Sequence, residues 1–243
     1  MIRRWIFIRD GRLSGRTKLL LAALFVIALL ALLPLRVVVA KVPGLTARSV
    51  DGPAWSGTIR DLRAGPLPLG DVDAGLLPLP LLIGRPEVWI TRHGTAAAPF
   101  TAHAAGGDGW LRLSRVNGTV PLADGMAGLP VASAGFTDFA LRIEGGKCME
   151  AKGAASITLA PLSVLLPDPI TVSGQARCDR GVLVVPMQGA GGMEHLTLRV
   201  QGSGAWTADL ALSGLPVEVS GPLVDMGFTA RPGGIGFRAS GQF

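Results

Sequence analysis

Beyond residue 40 the apolar and polar positions of the chain alternate in short runs. Residues 109–116, 136–143, 195–200 and 205–212 each alternate apolar with polar or small positions. A period of two puts one set of side chains on a buried face and the other in water, which is the signature of a half-buried β-strand. The runs end in turn chemistry: Asn117-Gly118, Gly145-Gly146, Gly202-Ser203-Gly204 and Gly233-Gly234. Gly202-Ser203-Gly204, lying between two alternating runs, predicts a hairpin. Turns this frequent over about 200 residues predict an antiparallel all-β domain of some ten or more strands. The expected form is a long curved antiparallel sheet or a half-open barrel, one elongated unit with a waist near 105–108 or 186–192. Residues 76–84 and 161–167 are apolar throughout, and their prolines exclude long helices. Each reads as a single helical turn or a buried crossover.

The N-terminal region is patterned differently. Residues 19–35 carry no charge and are mostly Leu and Ala. Seventeen helical residues span about 25 Å, slightly short of a bilayer core of about 30 Å. Residues 37–40 extend the run if Arg36 snorkels to the interface. The preceding basic stretch, Arg3, Arg4, Arg9, Arg12, Arg16 and Lys18 against Asp10, holds the N-terminus in the cytoplasm by the positive-inside rule. The expected division is a basic cytoplasmic tail over 1–18, a transmembrane signal anchor over 19–40, and a periplasmic β-rich domain over 41–243. The rivals are a cleaved signal peptide, for which Val38 and Ala40 satisfy the small-residue cleavage pattern, and a buried core helix, which the lack of any polar face disfavours.

Charge and composition then narrow the chemistry. The net charge is +6, and the tail supplies nearly all of it. The rest is close to neutral, so no nucleic-acid footprint is present. Five tryptophans, Trp5, Trp55, Trp89, Trp110 and Trp206, are not interleaved with basic clusters, which disfavours a stacking platform. Two cysteines and three histidines (His93, His103, His195) are too few for a multi-ligand cysteine metal site. Phosphate-loop, dinucleotide, His-Glu-x-x-His and Gly-x-Ser-x-Gly motifs are absent. Asp51-Gly52 and Asp124-Gly125 lack the Thr or Ser of aspartic protease loops and read as turns. No catalytic residue and no cofactor is expected.

Several segments together resemble a family. The segment 43–57 ends in Ala54-Trp55-Ser56-Gly57, Leu69-Gly70-Asp71-Val72 follows, and residues 76–85 close on Gly84-Arg85. These resemble the Gly-x-x-Trp-x-Gly, Leu-Gly-x-Val and Pro-Leu-x-Leu-Leu-x-Gly-Arg segments of type II secretion system protein N. Cys148, and Cys178 within Ala176-Arg177-Cys178, resemble the family's paired-cysteine region, and residues 196–212 fit its C-terminal hairpin. Ala74 stands where the family commonly has Trp, which implies looser packing there. The resemblance implies a non-enzymatic accessory of the inner-membrane platform that moves folded proteins from the periplasm across the outer membrane. Its partners would be other platform proteins and the membrane it spans.

Three expectations follow. Trp55 should cover a strand end, with Trp55→Ala costing about 3–5 kcal/mol if the ring is fully buried. Cys148 and Cys178 lie in or beside strands, are even in number and face an oxidising compartment, so a structural disulfide is expected. The alternative is two free buried thiols acting as small hydrophobes. The rival function is lipid handling, with a long curved sheet holding acyl chains in an apolar groove, in the manner ascribed to AsmA-like proteins. A sister platform component with a small β domain is disfavoured by the length of the chain.

Overall fold

The computed structural model of the chain describes residues 15–40, 45–65, 67–93, 98–122, 130–161, 167–214, 221, 223–224 and 227–242. Arg3, Arg4, Arg9 and Arg12, the Asp124-Gly125 pair and most of the apolar segment 161–167 lie outside the described residues.

The apolar N-terminal run does not form one helix. Helix α1 (Gly15–Ala31) ends before Pro34, and a second helix, α2 (Leu35–Val39), follows it. Proline has no N–H to continue a helix and drives the preceding residue toward extended geometry. Pro34 bridges to Pro53, and the Ala54 N–H donates to the Leu33 carbonyl at 2.6 Å. Leu35 is 2% exposed and belongs to the β-domain core. Leu24, Phe25 and Ile27 of α1 are 65–68% exposed. Hydropathy alone cannot distinguish these two outcomes, because an apolar side chain that stays exposed and one that enters a protein core look the same. Among the described residues no helix is long and apolar enough to cross a membrane.

The rest is β. In chain order the strands are β1 (Leu45–Thr46), β2 (Ser49–Asp51), β3 (Gly57–Ala64), β4 (Leu67–Leu76), β5 (Glu87–Arg92), β6 (Phe100–Gly107), β7 (Trp110–Pro121) and β8 (Val131–Glu144). There follow β9 (Lys147–Leu159), β10 (Ile170–Gln175), β11 (Arg177–Asp179), β12 (Val182–Gly189), β13 (Glu194–Val200), β14 (Ala205–Ser213), β15 (Thr229–Arg231) and β16 (Gly234–Gln242). The short helix α3 (Pro78–Leu82) separates β4 from β5. All strands join one antiparallel sheet in nearly sequential order, β1-β3-β4-β5-β6-β7-β8-β9-β10-β12-β13-β14-β16-β15, with β2 on β3 and β11 on β12. The segments 105–108 and 186–192 form hairpin ends within it, so the sheet is continuous across both. The segment 76–84 resolves into the single helical turn of α3.

One face of this sheet is buried throughout without a second sheet to cover it. Met187, Leu196 and Leu210 are directly opposite one another across β12, β13 and β14, and each is at most 1% exposed. Ile157 and Val172 pair across β9 and β10. Residues opposite one another in an antiparallel ladder share a face, so these form an inner row. The row continues into a single core from Leu35 to Ala239, which requires the sheet to curl around its own side chains. The first and last strands are not hydrogen-bonded to each other, so the barrel stays open.

The alternating runs became strands, and Gly202-Ser203-Gly204 became the β13–β14 hairpin. Asn117-Gly118 is a correction. It lies inside β7, where the register shifts between Val116 and Gly118. Gly118 takes φ = +114°, and an added Cβ would overlap the Pro99 carbonyl. A bulge and a tight turn both need a residue free to adopt positive φ, so the dipeptide alone does not separate them.

Candidate functional site

The corner where helices and sheet meet is built from backbone contacts. Ala54, fully buried, donates to Leu33 and accepts from the Leu76 N–H at 2.7 Å. Leu35 N–H donates to the Gly52 carbonyl at 3.1 Å. An added Cβ at Gly57 would lie 2.8 Å from Leu35 Cδ2 and overlap the Asp51 carbonyl. Gly57 is therefore the gap through which α2 enters the core. Gly75 plays the same part for the next turn, since a Cβ there would overlap the Trp55 carbonyl. The Trp55 side chain is only half-buried. The condition attached to the Trp55→Ala cost, a fully buried ring, is not met; it is the Trp55 backbone that crowds Gly75. Ala74, 1% exposed, pairs with Gly57 on one side and Ile90 on the other.

The residues of the segment 76–85 terminate α3. Gly84 has φ = +71°, its N–H donates to the Leu81 carbonyl, and the Arg85 N–H donates to the Pro80 carbonyl. That pair of bonds is a Schellman cap, with glycine at the left-handed position. Arg85 is exposed just beyond it. Leu69 and Gly70 lie near the opposite end of β4. Leu69 is buried in the core, and Gly70 pairs with Leu62 where β3 shifts register. The fold therefore brings Trp55, Gly57, Gly84 and Arg85 to one corner and leaves Leu69 and Gly70 away from it. Arg16 and Lys18 lie in the first turn of α1.

One buried cation was not anticipated. Arg92, at the end of β5, is 5% exposed. Its guanidinium donates to the carbonyls of Ala98 at 2.9 Å, Leu69 at 2.8 Å, and Thr119, and it lies 5.8 Å from the Phe100 ring centroid. Burial pushes its pKa below the usual guanidinium value. No carboxylate among the described residues pairs with it. Leu69 is on β4 and Thr119 on β7, three strand spacings apart. In a flat sheet that separation would be about 14 Å, so one side chain reaching both marks a tight curl. The available signal was parity: Val88, Ile90 and Arg92 share a face of β5, and the first two are apolar.

The remaining polar groups form surface clusters. Glu87 Oε1 lies 2.9 Å from His103 Nδ1 and 3.5 Å from the Arg115 guanidinium. Asp209 accepts from Arg238 Nε at 2.6 Å, with Arg199 and Arg231 within 4.0 Å, and this contact raises the Arg238 pKa. His93 lies 3.4 Å from Asp73. Among the described residues no group of three His, Cys, Asp or Glu is placed to hold a metal. An open cavity of about 480 Å³ between the β10 and β13 ends mixes Asp168, Glu194 and Ser213 with Ile170, Met193 and Leu212.

Cys148 and Cys178 are joined, with Cα atoms 5.5 Å apart. The bond crosses from β9 to β11, which is paired with β12 and not with β9, so the disulfide ties strands that the ladder does not. The two-free-thiol alternative is overturned.

A family model described as type II secretion system (T2SS), protein N, matches residues 43–236. No curated protein and no solved structure matches the chain.

Proposed function

The chain belongs to the type II secretion system protein N family, and from that membership we propose that it is a non-enzymatic accessory of the inner-membrane platform, supporting export of folded periplasmic proteins across the outer membrane. The observation that carries this reading is the family match across most of the β domain. In this reading α1 and the residues flanking it anchor the chain. The basic residues from Arg3 to Lys18 keep the N-terminus cytoplasmic, and the sheet lies in the periplasm. Two features support the placement: α1 exposes apolar side chains all round, and the Cys148–Cys178 bond suits an oxidising compartment. Other platform proteins are the proposed partners. The lipid-handling alternative has less support, since the inner face of the sheet is packed with its own side chains.

Three measurements test the proposal. Deleting the gene should abolish or reduce export of secreted proteins, with restoration by the full chain. Crosslinking from the β domain in cells should capture platform components. Normal export in the deletion strain would refute the role. A phosphatase fused after residue 100 should be active, and an inactive fusion would refute the topology.

A further inference from the structure

We propose that α3 is an interfacial foot that rests on the phospholipid surface of the leaflet in which α1 ends. This rests on the reading of α1 as a membrane anchor. Leu79 of α3 and Ile83 just after it are 77% and 71% exposed. Residues four apart in a helical turn lie on one face, so the two form a single apolar tip. Beyond the N-terminal segment 15–40 they are, among the described residues, far more exposed than other large apolar residues. Among the described residues of the sheet and its loops, Leu111, Met149, Met193 and Val224 are 38–56% exposed and scattered. Scattered apolar residues are ordinary on a surface, whereas paired ones mark a contact.

Placement identifies the occupant. α1 ends at Ala31, and two residues later Leu33 accepts from Ala54, whose own carbonyl accepts from Leu76. α3 begins at Pro78. Two hydrogen-bonded spacings of about 4.8 Å put Leu76 roughly 10 Å from Leu33, and two residues more at each end lead to the exit of α1 and the start of α3. A helix leaving a bilayer at Ala31 therefore holds this tip at the height of the headgroups. Arg36 on α2 and Arg85 after the α3 cap are both exposed and are the cations available there to lipid phosphates. An apolar face flanked by cations is the composition of an interfacial element. The Gly84 cap has a role in this arrangement: it stops the helix after one turn, so Ile83 stays beside Leu79 while the chain turns back into β5.

The full chain, reconstituted into phosphatidylethanolamine–phosphatidylglycerol vesicles, tests this directly. The native cysteines are bonded to each other, so an introduced cysteine is the labelling site. A polarity-sensitive fluorophore is placed at Leu24→Cys in α1, Leu79→Cys, Ile83→Cys, and Met193→Cys at the far end of the strands. Labels at 79 and 83 are expected to shift to the blue, to be quenched by nitroxide-bearing lipid and to be shielded from aqueous iodide, while the label at 193 is quenched by iodide alone. Lipid quenching at 24 with 79 and 83 as iodide-accessible as 193 overturns the foot and leaves the anchor standing. Shielding of 79 and 83 from both quenchers also overturns it, since protein would then cover the tip. No lipid quenching at 24 overturns the anchor, and the foot with it.

Discussion

Replacing Arg92 by Met removes a buried cation while keeping much of its length and volume. Three carbonyls lose a charged donor. The bond to Leu69 is buried, and those to Ala98 and Thr119 are partly so. An orphaned buried carbonyl costs about 1–3 kcal/mol, and bonds whose acceptors water can reach cost about 0.5–1.5 kcal/mol each. Against this, the variant no longer desolvates a guanidinium, a penalty that shows in the lowered pKa of Arg92. The net loss should be about 2–3 kcal/mol. For a domain of this size that lowers Tm by about 4–12 °C. Arg92→Lys should recover only part of it, because an ammonium lacks the planar fork that reaches three acceptors at once. Urea unfolding of the full chain in detergent, followed by tryptophan fluorescence, measures both variants. A Met variant within about 0.5 kcal/mol of the parent, or a Lys variant equal to it, would show that Arg92 does not hold β4 to β7.

Two further predictions concern covalent and steric features. Cys148→Ser with Cys178→Ser opens a loop with a sequence separation of 30 and should cost about 3–4 kcal/mol on the chain-entropy account; two alkylatable thiols in native protein purified without reductant would refute the bond. Gly57→Ala should cost about 1–3 kcal/mol through overpacking against the Asp51 carbonyl and Leu35, and Leu35→Ala about 2–5 kcal/mol through the cavity it leaves. The double variant should lose less than the sum of the two, and strict additivity in a double-mutant cycle would refute the contact.

The strands with clean alternation were legible in the sequence. Residues 205–212 read as a strand because Trp206, Ala208, Leu210 and Leu212 all turn inward, and nothing competes with that period. Other features were not legible, for physical reasons. Asn117-Gly118 carried the chemistry of positive φ, which a bulge uses as readily as a turn. Leu35 carried hydrophobicity, which both lipid and core accept. Arg92 shares the parity of Val88 and Ile90, which gives its face, but only the curl of the sheet supplies its acceptors. The cysteines were legible as a pair from parity of number and compartment. Their strands were not, because β11 detaches from the order that chain sequence implies.

The near-sequential strand order has a consequence for how the chain is made. Each strand from β3 to β10 finds a partner in the strand synthesised just before it. In the proposed topology, a chain threaded through a translocation pore from its N-terminus would zip up vectorially, each hairpin closing while the next segment is still in transit. Contacts so local in sequence are the kind that fold fast and leave few unpaired edges waiting for distant partners. The Cys148–Cys178 crosslink can form only once β11 has emerged, by which time the strands through β10 are in place. Oxidation then acts as a late lock on a half-assembled sheet and not as a guide to its topology.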